Sequence, residues 1–349
     1  MLTALASIFV FGLLIMGHEL GHYTVARLFG VRILEFSMGM GPKVVGWTRK
    51  GTLYALRLLP LGGFVRMAGM DEGEEGIAPP SDPGSFMNKS VLQRMGIIFA
   101  GPFMNFILAM VLFVAVFTFI GVPVQSDSNV IGDVMKDKPA SAAGLRPNDK
   151  IIEINGIKTP KWEDLTRVIY QSGGKELTLS VEREGQIKQI KVTPQYDPQN
   201  KVAIIGVLAS TVYEKKGTLE AAVFGVQCTY RFTKFIIISL FEMITGKMPA
   251  EVGGPVAIVN AIGQGASQGW AYLLQLTGML SIQLGLLNLF PIPALDGSRL
   301  VFLGVEGLRG KPLDPAKENF IHLVGFALLI LLMIVITYND ILRLIGGKA

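Results

Sequence analysis

The chain has 349 residues, 50% of them hydrophobic and only 17% charged, with a mean hydropathy of +0.46. That balance, gathered into long uncharged runs, excludes an ordinary soluble enzyme, and the single cysteine, Cys228, excludes a disulfide framework, a Cys-rich zinc ribbon and an iron–sulfur cluster. The net charge of +5 does not indicate nucleic acid, because the stretch from Asp127 to Asn200 holds 11 basic and 11 acidic residues and the excess lies beside the apolar runs, as contact with anionic headgroups requires.

The run from Leu2 to Phe29 is apolar apart from His18, Glu19, His22 and Arg27, and at about 1.5 Å per residue it can cross a bilayer. No Lys or Arg precedes Arg27, so retention of this segment and an outside amino terminus are expected. Inside it lies His18-Glu19-Leu20-Gly21-His22. On a helix the two imidazoles stand only about 40° apart, close enough to share one Zn²⁺, and Glu19 has the chemistry of the general base. In a soluble helix such a pattern is often accidental. Two His and a Glu within a bilayer are expensive, and they mark function.

Next, Leu53–Leu59 and Gly63–Met67, hinged at Pro60-Leu61-Gly62-Gly63, predict a hairpin turned back toward the membrane. Asp71 to Gly84, with Gly76, Pro79, Pro80 and Pro83, predicts a flexible cytoplasmic loop. A second span follows between Ile97 and Ile120 and carries Asn105. The basic residues between the two spans place that loop inside the cell.

From Asp127 to about Asn200 the charge density is ordinary, and a soluble domain is expected. Glu176–Val181 and Ile187–Val192, joined through Gly185, predict a hairpin, and Trp162–Gln171 predicts a short helix. Leu219–Gly246 is apolar enough to suggest another span. Yet Glu220, Gln227, Arg231, Lys234 and Glu242 fall within a sector of about 80°, which predicts an amphipathic helix lying in the interface.

Leu273–Leu295 predicts a third span and Phe320–Asn339 a fourth, with the basic loop between them inside. Pro291 and Pro293 cannot continue a helix, so the chain there must be irregular at membrane depth, which is tolerated only inside protein or beside a wet cavity. Asp296 ends that break and is the best third zinc ligand; His322, opening the fourth span, suits the part less well. With spans one and three both running inward, His18, His22 and Asp296 reach the same side. The expected architecture is an α-helical polytopic membrane protein of about four transmembrane helices, with a membrane-associated β-hairpin region and an inserted β-rich domain. Its expected divisions are 1–125, 126–210 and 211–349.

With HExxH in the first span and Asn288-x-x-Pro291-x-Pro293-x-x-Asp296-Gly297 after a late one, the chain resembles the site-2 protease family of zinc intramembrane proteases, peptidase family M50, in its bacterial RseP/RasP form. The stretches Phe36–Pro42, Gly63–Met67, Gly101–Asn105 and Gly253–Val256 extend the likeness nearly end to end, and Pro139–Ile152 with Ile154-Asn155-Gly156 resembles a single PDZ domain. The resemblance implies one Zn²⁺ per chain on His18, His22 and Asp296, with Glu19 as general base. It implies substrate handling by Asn288, Pro291, Pro293, Gly62, Gly63 and Phe64, and more weakly by Asn105. The implied reaction is peptide-bond hydrolysis in or near transmembrane segments of single-span proteins, such as anti-sigma factors trimmed by an upstream site-1 protease, or remnant signal peptides. The implied setting is the bacterial cytoplasmic membrane, with the PDZ domain and its peptide groove outside and the active site toward the cytoplasm. The alternative is a non-proteolytic PDZ scaffold with a vestigial metal site. A transporter is disfavoured, because the sequence has no related halves.

Overall fold

Four helices of the described residues are long and apolar enough to cross a bilayer: Leu2–Leu28, Val91–Phe119, Trp270–Leu289 and Ala316–Arg343. They belong to a computed structural model that describes residues 1–70, 82–197, 202–248, 253–311 and 313–345. In chain order its elements are α1 (Leu2–Leu28), β1 (Ile33–Arg49), β2 (Thr52–Met67), α2 (Val91–Phe119), β3 (Val122–Gln125), β4 (Ile131–Val134), α3 (Pro139–Ala142), β5 (Lys150–Ile154), β6 (Ile157–Lys158), α4 (Trp162–Tyr170), β7 (Leu177–Arg183), β8 (Gln186–Val192), β9 (Gln195–Asp197), β10 (Val202–Ile204), β11 (Val207–Ala209), β12 (Thr211–Glu214), α5 (Thr218–Ile244), α6 (Pro255–Gln268), α7 (Trp270–Leu289), α8 (Asp296–Arg309) and α9 (Pro315–Ile345). Two compact units result, one of Met1–Val116 with Thr218–Ala349, the other of Phe117–Gly217. Most of the loop expected at Asp71–Gly84 lies outside the described residues.

In the helical unit, α1 and α7 run in the same sense. The Phe9 ring meets Trp270 edge-on with centroids 5.7 Å apart, and further along the pair His18 meets Asp296 just beyond the end of α7. Ala6, Val10 and Leu14 of α1 form a buried seam with Ile262 and Leu273. The third span ends at Leu289 rather than Leu295, because Pro291 and Pro293 end it early. Helix α6 was not anticipated. It begins at Pro255, where a proline costs no hydrogen bond, and Asp340 of α9 accepts from the backbone N–H groups of Gly254 and Ala257 at 3.2 and 3.0 Å. Residues 219–246 do form a helix, α5, which buries only Ala221, Gly225 and Thr229.

The expected hairpin of Leu53–Leu59 with Gly63–Met67 requires correction. A turn does lie at Pro60–Gly63, with Gly62 at φ 82°, but the arms do not pair with each other. Instead Glu35, Phe36, Ser37 and Met38 each have two partners: Arg66, Val65, Phe64 and Gly63 on one side, running opposite, and Leu53, Tyr54, Ala55 and Leu56 on the other, running alongside. Residues 45–49 then pair with 52–56 through a tight turn at Lys50-Gly51, where both φ angles are positive. The first half of β1 is thus the centre of the sheet, and Gly63–Met67 is an edge. Glu35 can be buried there, at 3% exposure, because Arg57 donates to its Oε1 from Nε and Nη2 at 3.2 and 2.6 Å.

The second unit is β-rich, as expected of the polar segment. Its main sheet has the order β6-β5-β7-β8. The β7–β8 hairpin turns on Glu184 and Gly185, both at positive φ. Leu165 and Ile169 of α4 fill the core with Ile131, Ile151, Leu177 and Leu179. Pairing of β3 with β12 brings entry and exit of the unit together, which extends it beyond the expected limits of 126 and 210.

Candidate metal centre

The chain packs His18 and His22 one helical turn apart on α1, where residues i and i+4 share a face. Their Nε2 atoms lie 3.2 Å apart, and Asp296 Oδ2 lies 3.1 Å from the first and 3.3 Å from the second. Ligand atoms about 2.0–2.1 Å from a tetrahedral zinc are about 3.3 Å from one another, so this triangle matches one face of such a site and leaves the fourth corner open. Asp296 Oδ2 is buried and makes no hydrogen bond of good geometry to a described residue. Two imidazole nitrogens and a carboxylate oxygen are the donor set such a cation takes, and the residues fit it.

The surroundings explain several motifs physically. Helix α2 runs unbroken through Pro102, which has no N–H to give the preceding turn. One turn back, the Ile97 carbonyl accepts from His22 Nδ1 at 2.9 Å. Gly101 leaves the room this needs, since a Cβ there would overlap the His22 imidazole. Gly21, between the two histidines, lies so close to the Ala100 backbone that a Cβ would overlap its carbonyl. The stretch Gly101–Asn105 therefore shapes the wall behind the histidines.

Asn105, expected to take a weaker part in substrate handling, is fully buried behind His18, its amide 3.2 Å from Nδ1, and does not line the cleft. Its Oδ1 otherwise has no partner, and a half-turn of the amide offers that oxygen to an Nδ1–H. Its own carbonyl accepts from Ser281 Oγ on α7 at 2.7 Å, which ties α2 to α7 at this level.

The cleft is lined by His18, Glu19, His22, Phe64, Val65, Met67, Met70, Ile98, Asp296 and Arg299. Gly63 stands against Glu19, with a notional Cβ 3.2 Å from Glu19 Cγ. Gly62 packs on Met40. Asn288, Pro291 and Pro293 belong to the end of α7 and the break before Asp296; Asn288 is half-buried and Pro291 exposed. Asp296 opens α8, and Gly297 after it has no space for a Cβ against the carbonyls of Leu289 and Phe290. Sequence reasoning missed Arg299, although its position three residues after Asp296 was the signal.

Hydrolytic zinc sites need two such imidazoles, a third donor, an open position and a base. Set among apolar helices long enough to cross a bilayer, that combination defines a metallopeptidase of the membrane. The chain belongs to peptidase family M50, whose model matches residues 6–332. It is similar to the zinc metalloprotease RasP of Oceanobacillus iheyensis, 35% identical over 99% of this chain and 100% of the relative. Regulator of sigma-W protease RasP of Bacillus subtilis (strain 168) is 34% identical over 98% and 99% of the two chains. A solved PDZ domain of an SdrC-like protein from Listeria monocytogenes covers 25% of this chain and 93% of its own at 20% identity, with a TM-score of 0.22, a likeness too slight to argue from.

Proposed function

We propose that the protein is an intramembrane endopeptidase that binds one zinc ion through His18 Nε2, His22 Nε2 and Asp296 Oδ2 and cuts within or near single transmembrane segments. The observation that carries this reading is the triangle of those three atoms with Glu19 beside it in an apolar helix. When bound, the ion supplies Lewis acidity toward the scissile carbonyl and acidifies the attacking water. Glu19 takes the proton from that water on its carboxylate and returns it to the leaving nitrogen. Ile97 and Asn105 fix the two imidazole rings by their Nδ1 atoms, the outer-shell support that histidine ligands need.

A transmembrane helix must unwind before it is cut, and its freed backbone groups then need partners. The edge segment Gly63–Met67, with Phe64, Val65 and Met67 in the cleft, offers such partners as an added strand would use them. Asn288, whose side chain bonds to no other described residue, gives a further amide, and Pro291 and Pro293 hold the adjoining backbone open. In the β-rich unit, the hollow lined by Trp162, Leu165, Ile169, Ile204 and Leu208 suits an extended peptide and fits the PDZ reading. We place the unit outside a bacterial cytoplasmic membrane and the zinc site toward the cytoplasm, from the basic loops. Anti-sigma factors already shortened by a site-1 protease, and remnant signal peptides, are the substrates of this class. Cleavage of a model single-span substrate in lipid by wild type but not by Glu19→Gln, with equal zinc in both, is the expected result. Equal cleavage by both overturns the role of Glu19, and failure of the wild type over a panel of spans overturns the function.

A further inference from the structure

A second cavity adjoins the cleft and shares Met70, Ile98 and Arg299 with it. Arg299 lies three residues after Asp296 on α8, on the same face of the helix, and is partly buried. It forms no ion pair with a described residue, and none of the carboxylates that line the two cavities lies within ion-pair distance of it. Asp296 faces both histidines. Glu306 takes two hydrogen bonds from Arg94, at 3.1 and 2.5 Å. Glu318 lies 3.8 Å from His322 Nε2. Glu19 is the base. A guanidinium partly withdrawn from water without a counter-ion is costly, and its planar pair of donors matches the two oxygens of a carboxylate.

Peptide hydrolysis makes that carboxylate at this place. The water oxygen joins the carbonyl carbon as the C–N bond breaks, one proton goes to the amine, and the acid formed loses its other proton near neutral pH. Before the cut the peptide group is neutral and gives Arg299 no partner of matching charge. We propose that Arg299 receives the new C-terminal carboxylate of the released fragment, at the mouth of the second cavity. This rests on the proteolytic reading above. Arg299 is thus a product-binding residue, and the enzyme is inhibited by its own carboxylate-ended product.

The test uses the full-length, zinc-loaded protein in lipid and two dye-labelled peptides matching the amino-terminal product of a model substrate, one ending in a carboxylate and one in a carboxamide. Binding is followed by fluorescence anisotropy, with zinc measured in every sample. Wild type is expected to prefer the carboxylate about tenfold, as expected of one charge-assisted contact, and Arg299→Gln to lose most of that preference at unchanged zinc. Arg299→Lys keeps the charge but not the fork and is expected to fall between, which answers the question should the Gln variant lose metal. A preference equal in wild type, Arg299→Gln and Arg299→Lys overturns the proposal, as does a slowed reaction in the variants with that preference intact. Absence of cleavage by wild type marks failure of the underlying function instead.

Discussion

The imidazole of His322 accepts a hydrogen bond through Nδ1 from the backbone N–H of Ala294, at 3.0 Å. Ala294 sits at φ 75°, a left-handed conformation that costs an L-residue about 1–2 kcal/mol, two residues before Asp296. One turn further along α9, Gly325 is so close to Pro293 that a Cβ would overlap its ring. The last histidine of the chain is therefore a support for the turn that delivers Asp296, and α9 is its scaffold. His322→Leu removes the acceptor and is expected to weaken zinc retention about tenfold against a competing chelator, by analogy with loss of other outer-shell partners. His322→Gln, which keeps an acceptor, should recover part of it, and Ala294→Gly should keep full retention. Retention by His322→Leu equal to wild type would show that the turn holds itself.

Gly101 makes a second prediction about the same shell. Its missing side chain is the space occupied by the His22 ring, which in turn is anchored on Ile97. Gly101→Ala leaves Glu19, His18 and Asp296 untouched in sequence, yet it should displace Nε2 of His22 and cost one or two orders of magnitude in zinc affinity. Elemental analysis after dialysis reads this directly. Gly304→Ala on α8, where a Cβ meets nothing within 4 Å, is the matched control and should leave zinc unchanged.

How much of this site could be read in advance follows from distance along the chain. His18, Glu19 and His22 lie within one turn and a fixed helical geometry, so sequence spacing defines their relation. Asp296 was legible because two prolines announce a broken helix, and an acid at such a break demands a reason. The partners of the histidines were not legible. Ile97 is 75 residues from His22 and Asn105 is 87 from His18, and nothing local in Asn105 separates a wall residue from a cleft residue. The β-sheet was illegible for a related reason: the alternation of Leu53–Leu59 shows a strand but not its partner, and the motif Phe36–Pro42 gives no local sign that its first residues, with Glu35, form the centre of the sheet. Helix α6 depends on a cap supplied by Asp340, 86 residues away from Gly254, and local pattern does not contain it.

The β-rich unit yields a pH prediction. Burial alone would raise the Asp149 carboxyl, but Arg183 donates to it from Nε and Nη2, each at 2.7 Å, and the Arg146 N–H adds a third bond, so it is held below the usual carboxylate range. A depressed carboxyl contributes stability that is fully present above its unfolded value, about 3.9, and is lost as pH falls through the lower folded value. The hydrogen-exchange protection factors of β5 and β7 in the full-length protein should therefore be flat from neutrality to about pH 5 and fall only below about pH 4. Arg183→Ala leaves Asp149, which is 1% exposed, without its counter-charge. It should destabilise the unit by about 3 kcal/mol or more at pH 7 and abolish the part of the acid loss that this carboxyl contributes. Unchanged protection in Arg183→Ala would mean that water replaces the guanidinium without loss.

Gly63 ties the sheet to the chemistry. A Cβ at that position would stand 2.9 Å from Ile15 Cγ2, 3.0 Å from the Ser37 carbonyl and 3.2 Å from Glu19 Cγ. The Ser37 carbonyl belongs to the central strand and cannot move without disturbing its pairing with Phe64 and Ala55, so the strain falls on the two α1 side chains. Glu19 is the mobile one, and a displacement of the base by a few tenths of an ångström changes the transfer of the proton more than the binding of the metal. Gly63→Ala is accordingly expected to lower kcat about tenfold or more while zinc content stays at the wild-type level. A fall in KM-dependent binding alone, with kcat intact, would place Gly63 with the substrate strand and not with the base; loss of zinc would show instead that the sheet edge supports the histidines.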